Sequence, residues 1–359
     1  MNDRERFVAC ITGQPVDRPP FWLFWGPWAT TWKRWEREGK PASVRDHRTL
    51  FGPDEPPKVV PVDCGPCPSL EHVIEETDEF VVHVDSWGIL RRDFRGHESM
   101  SEFLEFPVTD WPSWERYRDE RLNPDDPARL ASDWRSRCAE WQARGWPIQL
   151  GEYPDAGVFG PLRWLLGDEE GLIAFHTMPD LVHAIMDHVT SLYLTVWEQV
   201  VHEVPVDVIH LWEDMCYRGG PLISPRHWEE FLAPNYLRIR RFADDHGIPI
   251  VSVDTDGDPA LITAPMVRAG VNLLFPIEVA AGCDVNDYQL RYPELGLMGG
   301  IDKRALAQAP AAIRRELERV RPAVERGRYI PDLDHLIPDD VSWENYCIYA
   351  EGLKQVVGA

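Results

Sequence analysis

The chain has 359 residues, an apolar share of 44% and a net charge of −23, which suits a globular core and disfavours a nucleic-acid groove or an anionic membrane surface as partner. No apolar run approaches about 18 residues, and the first 20 residues are too charged for a secretory leader. A cytoplasmic protein is expected. Its seven cysteines include one close pair, Cys64 and Cys67, with no second pair to complete a tetrahedral metal site, so reduced structural thiols are expected. The 16 tryptophans are dense in PPFWLFWGPWATTWKRW, richer in aromatics than a core strand needs. Trp22 and Trp25 are therefore candidates for a stacking wall.

In chain order, Asn2 or Asp3 caps a first helix running to Ile11, which GQPVDRPP stops. Phe21 to Trp25 reads as a buried strand, and Trp28 to Arg37 as a helix with tryptophans on one side. From Gly52 to Phe106 the pattern changes to short β-like pieces, read as a β-rich excursion from the main architecture. Within it, Phe80 to Asp85 is read as a strand of the main sheet, followed by Ser86 and Trp87. A helix over Pro124 to Arg144 precedes the strand Pro147 to Leu150, which ends in Gly151 and Glu152. Helices follow at Leu162 to Leu166, Asp168 to His176 and Pro179 to Glu203.

The second half alternates strand and helix. Strands begin at Val206, Ile248, Val271, Leu295 and Arg328, separated by helices of up to about 20 residues, the pattern of a parallel sheet. With Phe21, Val81 and Ile148 this makes eight strand starts, and the expectation is one α/β domain over residues 1–359, a single (β/α)8 TIM barrel. A doubly wound sheet is the alternative, but no GxGxxG follows any strand.

A barrel enzyme collects polar residues at the C-terminal ends of different strands. Here those ends carry Asp85, Glu152, Trp212 with Glu213 and Asp214, Asp254 with Asp256, Glu278, Asp302 with Lys303, and Asp334 with His335. Asp and Ser at such junctions commonly cap the next helix, and Asp258 and Asp302 are read that way. So many carboxylates at one mouth repel one another unless a proton or a cation intervenes. Some are then protonated, as general acid work requires, or they hold a metal. Asp254, Glu278 and His335 offer two oxygens and a nitrogen from three strands, a set that suits zinc with an open fourth position.

Seven stretches, DRERFVACITGQPVDRPP, GPLRWLLG, ISPRHWEEFLAPNY, VDTDGD, PIEVAAGCDV, GGIDKRAL and YIPDLDHLIPDDVSWENY, occur in this order over nearly the whole length. Through them the chain resembles the uroporphyrinogen decarboxylase superfamily, a (βα)8 group that includes methyltransferases acting on methylated corrinoid proteins. The resemblance implies roles for Asp85, similar to the aspartate that binds pyrrole nitrogens, and for His335, similar to a histidine near the C-terminus. It also implies a homodimer. The decarboxylases grip substrate carboxylates with an arginine-rich segment after the first strand, where this chain has WLFWGPWATTW, and indoles cannot replace bidentate arginines. The methyltransferases hold zinc through a His-x-Cys strand end, a Glu and a late Cys. Ser252, Asp254, Glu278 and His335 fall at the matching places, so a thiolate-rich site is absent and a harder, oxygen-rich site or no metal remains.

The leading expectation is a metal-assisted, corrinoid-linked methyltransferase whose catalytic groups are Asp85, Glu213, Asp254, Glu278 and His335, with Asp254, Glu278 and His335 as ligands of a divalent ion such as zinc. Trp22, Trp25, Trp87, Glu152, Arg163, Trp212 and Lys303 would contact a small aromatic or apolar substrate, and a corrinoid protein would be the partner. The alternative is a cofactor-free carboxy-lyase in which Asp85 stabilises a protonated intermediate and His335 or Arg163 orients a carboxylate. A catalytically inactive binding protein is the third class.

Overall fold

A computed structural model describes residues 1–95 and 101–359; the part of the expected excursion at 96–100 lies outside the described residues. Helices α1 (Asp3–Thr12) and α2 (Ala29–Arg37) come first. Strand β1 (Lys58–Val59) is followed by β2 (His72–Glu76), β3 (Phe80–Val84), β4 (Leu90–Phe94) and β5 (Glu102–Glu105). Then come α3 (Trp111–Arg121), α4 (Trp134–Arg144), β6 (Ile148–Leu150), α5 (Phe159–Leu166), α6 (Asp168–Thr177), α7 (Pro179–Val201) and β7 (Val208–Trp212). A small hairpin, β8 (Cys216–Tyr217) and β9 (Gly220–Pro221), precedes α8 (Pro225–His227), a π-helical turn and α9 (Ala233–Asp245). The chain ends with β10 (Ile250–Asp254), α10 (Ala260–Arg268), β11 (Leu273–Ile277), α11 (Val285–Arg291), β12 (Gly296–Ile301), α12 (Pro310–Arg326), β13 (Tyr329–Leu333) and α13 (Trp343–Val357).

The main sheet is a curled, wholly parallel array of seven strands in the order β1-β6-β7-β10-β11-β12-β13. Strand order rises steadily across it without the reversal that defines a doubly wound sheet. Two of the eight expected strands differ. Phe21 to Trp25 forms no ladder: its neighbour Pro27 makes an isolated parallel bridge to Ile337, while the Phe21 and Phe24 amides donate to the carboxylates of Asp54 and Asp332. Side-chain acceptors take the amides that a ladder would use, and prolines at 19, 20 and 27 offer none.

Phe80 to Asp85 is not a strand of this sheet either. It is β3 of a separate antiparallel sheet, β2-β3-β4-β5, and the second parallel position belongs to the two-residue β1, paired with β6. Two residues carry no alternation that a sequence could display.

Along the parallel strands, side chains alternate between the two faces. Ile209, Leu211, Val251 and Val253 pack outward beneath the helices. Val208, Ile250, Leu273, Phe275, Met298 and Ile330 point to the concave face and meet Phe7, Cys10 and Ile11 of α1 together with Trp22. Helix α1, capped by Asn2 in a capping box with Glu5, thus plugs the concave face at one end. Among the described residues no helix is long and apolar enough to cross a membrane.

Candidate active site

Above that plug the concave face opens into a cavity of about 780 Å³. Its walls are largely aromatic: Trp22, Phe24 and Trp25 from the irregular N-terminal segment, Tyr153 after β6, Trp164 on α5, Trp212 on β7 and Phe275 on β11. Trp164 stacks on Trp212 with ring centres 5.0 Å apart, and the Tyr153 ring meets Trp212 edge-on at 4.9 Å. On the opposite side Trp25 lies between Phe275 at 5.3 Å and the His335 imidazole at 4.7 Å. Stacked pairs of this kind hold the rings in fixed orientations.

The polar groups come from neighbouring strands in register. His210 pairs with Ser252 and Trp212 with Asp254 across β7 and β10, so the alternation that sends Val208 into the plug sends His210 and Trp212 into the cavity. His210 Nδ1 lies 3.2 Å from Ser252 Oγ, and its Nε2 lies 3.8 Å from Asp254 Oδ2. Burial pushes the Asp254 carboxyl up from its ordinary value, with His210 opposing the shift. Glu152, on the loop after β6, is also raised by burial, and Asp214 is raised by burial and by Asp256. His335 Nε2 sits 3.4 Å from Asp256 Oδ2. These carboxyls hold their protons to higher pH than exposed ones do, and imidazoles stand beside them.

Arg163 is the one arginine or lysine lining the cavity among the described residues, and it is committed. Its Nη1 donates to the Asp214 carbonyl at 2.6 Å and its Nε to Asp168 at 2.6 Å. Glu152, Asp168, Asp214, Asp254 and Asp256 all line the same space. Among the described residues the cavity is aromatic and acidic, with no arginine or lysine free of a carboxylate partner.

Of the expected site residues, Trp22, Trp25, Glu152, Arg163, Trp212, Asp254 and His335 line this cavity; Asp85, Trp87, Glu213, Glu278 and Lys303 do not. Asp85 closes a turn of the antiparallel sheet, accepting from the amides of Trp87 and Ile89 and pairing with Arg91 at 3.3 Å. Trp87 is buried, with its indole N–H donating to Asp155 at 2.9 Å. Glu213 is fully buried beneath the start of α5, where it accepts from the amides of Val158, Phe159 and Gly160 and from the Tyr236 hydroxyl. Glu278 accepts the Gly257 amide at 2.7 Å and holds the loop after β10. The Lys303 amide donates to Asp334.

The ligand atoms of Asp254, Glu278 and His335 do not lie within 4.8 Å of one another, and no cysteine lines the cavity. The donor set that zinc would need is not gathered there, so the residues do not fit a metal centre built on those three. His210 is the residue that the strand-end reading passed over. It lies inside β7 rather than after it, and the usable signal is its two-residue spacing from Val208 and Trp212 on one face of an apolar strand.

No curated protein sequence matches this chain. Among solved structures, a methyltransferase from Methanosarcina mazei is similar over 99% of each chain at 16% identity, with a TM-score of 0.62. A B12-independent methionine synthase from a Shewanella species aligns with 80% of this chain and 73% of its own at 9% identity and a TM-score of 0.40, too slight a likeness to bear on the fold. The family model for uroporphyrinogen decarboxylase (URO-D) matches residues 168–355, from α6 through most of α13. With more than half of its length matched, the chain belongs to the uroporphyrinogen decarboxylase (URO-D) family.

Proposed function

We propose that the protein is a methyltransferase that takes a methyl group from a small, largely aromatic or apolar molecule bound in the cavity and passes it to the reduced corrinoid of a partner protein. The observation that carries this reading is the pairing of Asp254 with His210 in an aromatic cavity that, among the described residues, offers no arginine or lysine free of a carboxylate partner. In the donor R–X–CH3, where X is oxygen, nitrogen or sulfur, the C–X bond breaks with its electron pair going to X, and the Asp254 carboxyl gives its proton to X, releasing R–XH. A reduced corrinoid supplies the electron pair that forms the new bond to the methyl carbon.

Asp254 does this because burial keeps its proton on at higher pH than usual, and a positioned acid beside a leaving atom contributes roughly 100-fold to 10,000-fold in rate. A proton from water, relayed by way of His210 3.8 Å away, then restores the Asp254 carboxyl. Trp25, Trp212 and Phe275 hold the donor's apolar body and exclude water. Metal assistance through Asp254, Glu278 and His335 finds no support in their placement, and no step is assigned to it. The likeness to the M. mazei methyltransferase is one of fold.

A carboxy-lyase reading is less well supported. A carboxylate entering this cavity meets Glu152, Asp214, Asp254 and Asp256, and Arg163 already serves Asp168 and Asp214. The test is to incubate the protein with phenyl and benzyl methyl ethers, methylamines and methyl thioethers, using chemically reduced free cobalamin as acceptor and following its absorbance. Turnover with at least one donor is expected, together with loss of turnover in Asp254→Asn while donor binding, read by tryptophan fluorescence, persists. An Asp254→Asn variant as fast as the parent defeats the proposal, and carbon dioxide release from a carboxylic acid without any acceptor replaces it by the carboxy-lyase.

A further inference from the structure

A second cluster of ligating side chains lies on the outside of the molecule, where α7 and α9 end together. His202 is the residue that terminates α7, and His246 is the residue that terminates α9. Glu198, one turn before His202 on α7, stands between them: its Oε1 is 3.0 Å from His202 Nε2 and its Oε2 is 3.0 Å from His246 Nε2. All three ligand atoms lie within 4.8 Å of one another, which among the described residues is true of no other group of three or more His, Cys, Asp or Glu side chains. The His246 ring packs on Phe242 at 4.5 Å and is only 15% exposed, so one of the three donors is held in place before any ligand arrives.

We propose that Glu198, His202 and His246 bind one divalent transition-metal ion of the zinc type, joining the end of α7 to the end of α9. Two imidazoles and one carboxylate are an established donor set for zinc, which leaves a fourth position for water. Each imidazole Nε2 lies 3.0 Å from a different oxygen of Glu198, so the one carboxylate already faces both rings. Nitrogen donors favour zinc, nickel or copper over magnesium and calcium.

The surroundings also favour a cation. Two helix C-termini converge on the cluster, and each adds partial negative charge from carbonyls without intrahelical partners. No lysine or arginine is ion-paired with Glu198 among the described residues, and the neighbouring Glu203 is neutralised by Arg135 at 2.6 Å. The hollow beside Glu198 is lined by the further acidic side chain of Asp125 and by Gln199.

Position sets the role. Helices α7 and α9 lead into β7 and β10, so their C-termini lie at the N-terminal edge of the sheet, whereas Trp212 and Asp254 are at the other end of those strands. The ion would be a structural clip between two helices that pack together, independent of the cavity chemistry.

The experiment is calorimetric titration of the metal-stripped full chain with zinc chloride, with melting temperature measured in parallel. One zinc per chain and a zinc-dependent rise in melting temperature are expected for the parent. Binding should weaken by about tenfold or more in each of His202→Ala and His246→Ala, since lost ligation support costs at least that much, and should vanish in the double variant. Both positions are at helix ends, and circular dichroism without zinc verifies that the variants are folded; should the double variant not fold, His202→Ala, at 67% side-chain exposure in the parent, carries the test. Absence of zinc binding by the parent, or equal binding by the variants, means that the cluster is an ion-paired triad only and overturns the proposal.

Discussion

At the scale of single residues, the molecule is distinguished by carboxyls that burial has pushed up. Asp332, buried within β13, has its carboxyl raised to about 7, although the Phe24 and Leu333 amides and the Tyr349 hydroxyl donate to it. Asp155 rises from 3.8 to about 6, burial outweighing the hydrogen bond from the Trp87 indole. A carboxyl raised in the folded state binds its proton more tightly there than in the unfolded chain. Its favourable contribution is therefore complete below the unfolded value and is lost as pH rises through the folded one. The Asp155→Asn variant removes this dependence while keeping an acceptor for Trp87. Its melting temperature should gain on the parent's steadily between 3.8 and about 6 and level off above; a difference that is flat with pH would show that Asp155 is not the group titrating. The place of Asp254 in the cavity wall was legible because it ends an apolar run. His210 was less so, because a histidine within a strand declares its face only once the register with β10 is known.

At the scale of elements, the junction of β7 with α5 positions the cavity wall. Glu213 closes the N-terminus of α5 with three amide hydrogen bonds, and Gly157 passes so close to β7 that an added Cβ would lie 2.0 Å from the Trp212 carbonyl oxygen. That close approach sets Arg163 and Trp164 of α5 against Trp212. Glu213→Ala would leave these donors and Tyr236 buried without an acceptor, and a destabilisation of about 3 kcal/mol or more is expected in urea unfolding. Glu213→Gln, which keeps one acceptor oxygen, should lose clearly less. If Glu213→Ala unfolds with the parent's midpoint yet is inactive, the residue acts in chemistry and not in holding the helix. In the sequence Glu213 looks like any strand-end carboxylate. The distinction from Asp254 is one of direction: Glu213 turns under α5, and Asp254 faces the cavity.

At the scale of the whole molecule, α1 acts as the floor on which the cavity stands. Phe7 is 1% exposed, packs on Trp22 at 5.3 Å and lines the cavity from below. Phe7→Ala should destabilise the protein by about 3–5 kcal/mol and enlarge the cavity, raising KM for a small donor more than it lowers kcat; an unchanged urea midpoint would place the floor elsewhere. The sequence by itself determined the alternation of strand and helix after residue 200, the parallel sheet, the aromatic N-terminal segment and the family, since these are written in local period, turn chemistry and contiguous motifs. Tertiary structure alone decided that Phe21 to Trp25 lies beside β13 without a ladder, that two residues at Lys58 take the position expected for Phe80 to Asp85, and that Asp85, Trp87, Glu213, Glu278 and Lys303 lie off the cavity. The reason is physical: period and composition say which residues leave the core, while which of several strand-end carboxylates faces the cavity depends on strand register and on backbone amides many residues away, and neither is encoded in any one stretch of chain.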